Sequence, residues 1–140
     1  RRSLCPPRYF VALCMTRSIP KASGFWLYGV ANVLSMIVRK TFSFKPLTDE
    51  VRSEIERILQ LWAQARARFG SGGSFLFGEW CAADIMYAPV VTRFITYSVP
   101  MPPFAELYMK AGLSHPDVNE WIDKAQDEPW VIEQYEHEAG

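Results

Sequence analysis

Phe75-Leu76-Phe77-Gly78-Glu79-Trp80-Cys81-Ala82-Ala83-Asp84-Ile85-Met86-Tyr87-Ala88-Pro89-Val90-Val91-Thr92-Arg93-Phe94-Ile95-Thr96-Tyr97 sets the architecture of this chain. The run opens apolar, turns at Gly78 and continues as one long helix. Ile85, Met86, Ala88, Val90, Val91, Phe94 and Ile95 leave few polar positions. A helix that is apolar nearly all round belongs inside a core, so other helices are expected to surround it. It is too short, and too interrupted by Asp84 and Arg93, to cross a bilayer. Pro89 lies well past the first turn, where it removes a backbone donor and bends the axis.

Asp84 is out of place by composition, because an unpaired carboxylate in an apolar helix is costly. Its spacing from Cys81 supplies a reason. With Cys81 as N-cap, Asp84 is the third helical residue, and its carboxylate reaches back to the free N–H of residue 81. Its charge also suits the positive end of the helix dipole. Both residues are therefore read as a structural cap, not as catalytic groups.

The pattern Phe75-Leu76-Phe77-Gly78, a two-residue step and then Cys81-x-x-Asp84 resembles the core motif of the glutathione S-transferase C-terminal domain. There the helix-start box is usually Ser or Thr, two residues, then Asp. The continuation from Ala83 to Phe94 is similar to a bacterial subgroup, and Trp121 and Glu128-Pro129-Trp130 also fit. The likeness covers residues 48–133 well and residues 1–45 poorly. One departure is Cys81 itself, whose thiol is a weaker capping partner than a hydroxyl. The substitution is expected to cost about 1 kcal/mol of helix stability.

Composition bounds the rest. The 140 residues suit a single domain, residues 1–140, that buries roughly two-thirds of its unfolded surface. The hydrophobic fraction of 49% is ample for a core, and the 14% of aromatic residues suggests a pocket or a partner face. Lys+Arg 15 balance Asp+Glu 15, so no basic excess points to nucleic acid or to an anionic membrane. Cys5, Cys14 and Cys81 form neither a disulfide framework nor a metal site, and free thiols fit a reducing cytoplasm. His115 and His137 lie in polar stretches and are expected at the surface. The opening Arg1-Arg2 suggests a processed or truncated product or a cloned fragment. Pro6-Pro7-Arg8 prevents the apolar run of a signal peptide.

The remaining segments read as helices. Tyr9 to Met15 suits two turns that Pro20 ends. Trp26, Leu27, Val30, Val33, Leu34, Ile37 and Val38 follow a helical period, with Gly29 weakening that helix by about 1 kcal/mol. Arg39 and Lys40 complement its C-terminal end. Residues 41–47 read as a loop. Residues 48–69 give the clearest helix, with Thr48 as N-cap, Val51, Ile55, Ile58, Leu59, Trp62, Ala65 and Phe69 on one stripe, and Gly70 as the stop. Ser71-Gly72-Gly73-Ser74 is a turn and not a phosphate loop. Residues 103–112 and 115–127 suit two further helices, and Pro129-Trp130 a last helical turn before an acidic end. The fold class is all-α, a helical bundle.

The resemblance implies more than the pattern does. In that family a thioredoxin-like N-terminal domain binds glutathione and supplies the catalytic Ser, Tyr or Cys, while the helical domain lines the pocket for the hydrophobic substrate. Nothing in residues 1–45 reads as strands of such a domain, so the chain looks like the helical half alone of a cytoplasmic transferase, either truncated from a full enzyme or surviving without its partner domain. It is expected to be inactive alone, with no catalytic residue, no cofactor and no metal of its own. Glutathione enters as co-substrate if a thioredoxin-like domain is supplied.

Tyr87, Arg93 and Tyr97 are the candidate substrate-binding residues. Arg93 and Tyr97 are four apart and share a helix face, where a guanidinium beside a phenol suits an anionic or aromatic ligand. The competing reading has Arg93 paired with a carboxylate and the tyrosines packed in the core. The expected partners are a hydrophobic small molecule, a thioredoxin-like domain or a second copy. The alternative function is a non-catalytic helical module for protein interaction or small-ligand binding.

Overall fold

The computed structural model describes residues 28–130. The expectations for residues 1–27, and for the acidic end with His137, lie outside them. The described residues form five helices and no strand: α1 (Tyr28–Val33), α2 (Asp49–Phe69), α3 (Ala82–Thr96), α4 (Pro103–Leu113) and α5 (Pro116–Asp127). α1 packs on α2, α4 packs on both α2 and α3, and α5 packs on α4. None of the helices among the described residues is long and apolar enough to cross a membrane.

α2 follows its sequence closely. The Thr48 hydroxyl accepts from the Val51 N–H at 3.4 Å, Asp49 and Glu50 occupy the positive end, and Gly70 closes the helix. Its apolar stripe delivers Val51, Ile55, Ile58, Trp62 and Ala65 to the core. Trp62 is fully buried and is the hub of that core: the rings of Tyr87, Phe94 and Tyr108 meet it at centroid distances of 5.4, 6.1 and 4.7 Å. Edge-to-face pairs of this kind add to the stabilisation from buried area.

The turn between α2 and α3 is tightly built. Gly78 has φ +88°, a left-handed conformation that favours glycine. A Cβ on Gly73 would fall 1.7 Å from the Gly78 carbonyl oxygen, so this position excludes any side chain.

The last helical turn expected at Pro129-Trp130 does not form, since residues 128–130 are not helical, and two further expectations about the helices fail. The helix expected from the period of Trp26 to Val38 ends at Val33, and Leu34 to Lys40 is an irregular strap. The cause lies in α3. Arg93 donates to the Leu34 carbonyl, the Thr96 hydroxyl donates to the Ile37 carbonyl, and the Ser35 N–H donates to the Tyr97 hydroxyl. Backbone groups engaged by side chains are lost to a helical ladder. The second failure concerns α3 itself, which is not enclosed. Val90, Val91 and Phe94 are buried, but Ile85 is 54% and Met86 78% exposed.

Arg39 does not serve α1. Its guanidinium donates to the carbonyls of Ala125, Glu128 and Trp130, gathering acceptors in the last turn of α5 and just past it. Glu54 does the converse job. Its carboxylate accepts from the Gly29 and Val30 N–H groups at 3.1 and 2.9 Å, capping α1 from α2. A Cβ on Gly29 would lie 3.0 Å from Glu54 Oε1, which is why glycine suits this otherwise helical position.

Candidate functional site

The N-terminus of α3 is held by Asp84, as its spacing from Cys81 implies. One carboxylate oxygen accepts from the Cys81 N–H at 3.0 Å. The other accepts from the Leu76 N–H at 3.2 Å, a contact that ties the preceding turn to the helix and has no signature in the local sequence. Asp84 is only 2% exposed. The Cys81 sulfur closes the capping box over the Asp84 N–H but makes no cap hydrogen bond of ordinary geometry. Burial and then the Asp84 charge push the Cys81 thiol up, so it stays protonated at neutral pH and is a poor nucleophile. Tyr108 from α4 faces the same carboxylate. Burial, the Asp84 charge and a hydrogen bond to Asp84 hold its phenol well above the usual tyrosine range.

Tyr87, Arg93 and Tyr97 do not converge. Tyr87 turns inward against Trp62, and burial raises its phenol while the Trp62 N–H opposes that shift. That N–H, buried at Nε1, has no hydrogen bond of ordinary geometry. Tyr97 is 3% exposed, packs its ring at a tilt against Phe42 and accepts the Ser35 N–H, so its hydroxyl faces the strap. Arg93 is half-buried. Nε donates to the Leu34 carbonyl at 2.9 Å and Nη1 to the Pro89 carbonyl at 3.0 Å. Among the described residues no carboxylate pairs with Arg93, and burial lowers its pKa. The carboxylate partner of the competing reading is therefore replaced by two backbone carbonyls.

The outward face of α3 is the feature the sequence reading missed. Ile85, Met86, Pro89 and Arg93 recur at i, i+1, i+4 and i+8, a single stripe along the helix. Side chains in a helix lean toward its N-terminus. The Arg93 bond to the Pro89 carbonyl follows that lean, one turn back along the helix.

Two other features lie away from this face. An open groove of about 530 Å³ runs between the end of α3, α4 and α5, with Ile95, Met109 and Leu113 on its floor. None of Tyr87, Arg93 or Tyr97 lines it. His115, expected in a polar setting, instead stacks on Trp80 at 3.9 Å, with the ring planes 12° apart, and caps α5 by accepting the Asp117 N–H. Among the described residues no group of His, Cys, Asp or Glu clusters as a metal site.

Compared with known protein families, residues 45–124 match the glutathione S-transferase C-terminal domain. That span is more than half of the chain. The chain belongs to this family. Its helical architecture and the Asp84 capping of the central helix accord with that membership. No curated protein and no solved structure matches the chain significantly.

Proposed function

We propose that the chain forms the hydrophobic-substrate side of a glutathione-conjugating transferase, working opposite a thioredoxin-like domain that binds glutathione. The supporting observation is the outward stripe of α3. In a member of this family, the central helix leaves Ile85 and Met86 uncovered while its other face fills the core. Exposed apolar side chains grouped on one helix face mark a ligand or partner surface. The chemistry divides accordingly. The thiolate of glutathione attacks the electrophile, and stabilising that thiolate falls to the partner domain. This chain contributes an apolar wall that holds and desolvates the electrophile. No described residue is assigned a catalytic step.

The test pairs calorimetry with turnover. Titration of the chain with glutathione should give no saturable heat. Adding the N-terminal domain of a bacterial glutathione transferase should then give conjugation of chlorodinitrobenzene, weakened by Met86→Asp. Saturable glutathione binding by the chain alone, or no association with such a domain, overturns the proposal.

A further inference from the structure

His115 does two jobs that one proton sets against each other. Its ring lies flat on Trp80, with centroids 3.9 Å apart and planes at 12°, and Phe75 meets it edge-on at 6.0 Å. Through this stack the start of α5 grips the turn that Asp84 ties to α3 at the Leu76 N–H. The same ring caps α5, where Nδ1 accepts the Asp117 N–H at 3.3 Å. A ring nitrogen that accepts carries no hydrogen, so the neutral imidazole holds its hydrogen at Nε2. Asp117 Oδ2 stands 3.7 Å from Nδ1, beyond hydrogen-bond length. The His115 side chain is 21% exposed, so a proton reaches the ring from water. Of the other charges on the elements around it, Glu79 in the turn and Lys110 on α4 are exposed and form no ion pair with the ring.

Imidazole is the side chain that ordinarily changes charge near neutral pH. A proton taken up at Nδ1 turns an acceptor into a donor, so the bond from the Asp117 N–H must break. The positive end of α5 opposes the new charge. Two groups already in place favour it: the Asp117 carboxylate, which closes in to accept from Nδ1–H, and the face of Trp80, which attracts a cation. We propose that His115 is a proton-operated switch where α5 meets the turn ahead of α3. In the neutral state Nδ1 caps the helix. In the protonated state the Asp117 carboxylate holds Nδ1–H, the backbone cap is released to water, and the ring stays on Trp80. Acidification therefore loosens the first turn of α5 while leaving α5 fastened to the turn.

The test is NMR spectroscopy of the 140-residue chain between about pH 5 and pH 8, above the range in which an exposed Asp titrates. The Asp117 amide proton should move upfield in acid with the same midpoint as the His115 ring signals. Its protection against exchange should fall by about fivefold, the equivalent of one lost cap bond. The Trp80 indole signals should shift with that midpoint and keep the displacement that ring stacking gives. His115→Asn leaves a capping side chain that takes up no proton, so the Asp117 amide should become indifferent to pH. Asp117→Ala, at an exposed position, removes the acceptor for the cation, and in acid its Trp80 signals should drift toward those of an unstacked ring. An Asp117 amide that does not follow His115, or that responds equally in His115→Asn, overturns the switch. Trp80 signals that lose the stack in the acidified parent, or keep it in acidified Asp117→Ala, overturn the part given to the carboxylate and the proposal with it. A neutral ring with its hydrogen at Nδ1, read from the imidazole nitrogen shifts, overturns it as well.

Discussion

Asp84→Ala is the substitution from which the largest stability change is expected. The side chain accepts two backbone N–H groups, those of Cys81 and Leu76, in a setting where it is itself almost completely buried. Truncation leaves both donors without a partner. An orphaned buried donor costs about 1–3 kcal/mol, and loss of a helix cap about 1 kcal/mol. Leu76 N–H is the more buried donor and Cys81 N–H reaches some water, so about 3–4 kcal/mol is the working figure. For a chain of this length each 1 kcal/mol moves the midpoint by roughly 3 °C, giving a fall of about 10 °C. Asp84→Asn keeps one carbonyl oxygen but turns an amide NH₂ toward the other donor, so it should recover at most half of the loss. Thermal unfolding followed by circular dichroism, with calorimetry to confirm a two-state transition, reads both variants. A midpoint for Asp84→Ala within about 2 °C of the parent would refute the claim that this carboxylate joins turn and helix.

Cys81→Ser restores a hydroxyl at the α3 N-cap and should stabilise by up to about 1 kcal/mol. A lower unfolding midpoint would contradict the cap assignment. Tyr108 makes stability depend on alkaline pH, because its folded phenol is held above the unfolded value by burial and then by Asp84. The unfolded chain releases that proton from about pH 10 while the folded chain keeps it, so stability should fall as pH rises through that range. Urea midpoints measured against pH should show the fall, and Tyr108→Phe should flatten it in part, since burial raises Tyr87 as well. Gly29→Ala would gain about 1 kcal/mol in a free helix. Here the added Cβ crowds the Glu54 carboxylate, so thermal unfolding should show no gain. Arg39→Met removes the clamp on the carbonyls past α5, and amide exchange should quicken over Gln126 to Trp130 with little change in the global midpoint.

What could be read in advance was whatever repeats locally. The period of Val51, Ile55, Ile58, Trp62 and Ala65, with Thr48 ahead and Gly70 behind, specifies α2 because propensity, capping and burial all act within a turn or two of the same residue. The Cys81-x-x-Asp84 spacing specifies its cap for the same reason. The motif around Gly78 pointed to the family that residues 45–124 match. The strap was illegible. Leu34, Ile37 and Val38 keep a helical period, and only the arrival of Arg93, Thr96 and Tyr97 some sixty positions later takes their backbone groups out of the ladder.

The same division applies to the candidate site. From the sequence, Arg93 and Tyr97 share a face, and Ile85 and Met86 look like core. Tertiary packing turns the Tyr97 hydroxyl onto the strap, engages Arg93 with carbonyls, and leaves Ile85 and Met86 uncovered. Sequence alone determined the all-α class, the helices α2 to α5 and the caps at Thr48 and Asp84, because those follow from interactions between near neighbours. Which face of α3 meets the core, which carbonyls Arg93 engages and where α1 stops were decided only by the fold. Each depends on groups brought together across long separations, and no periodicity encodes such meetings.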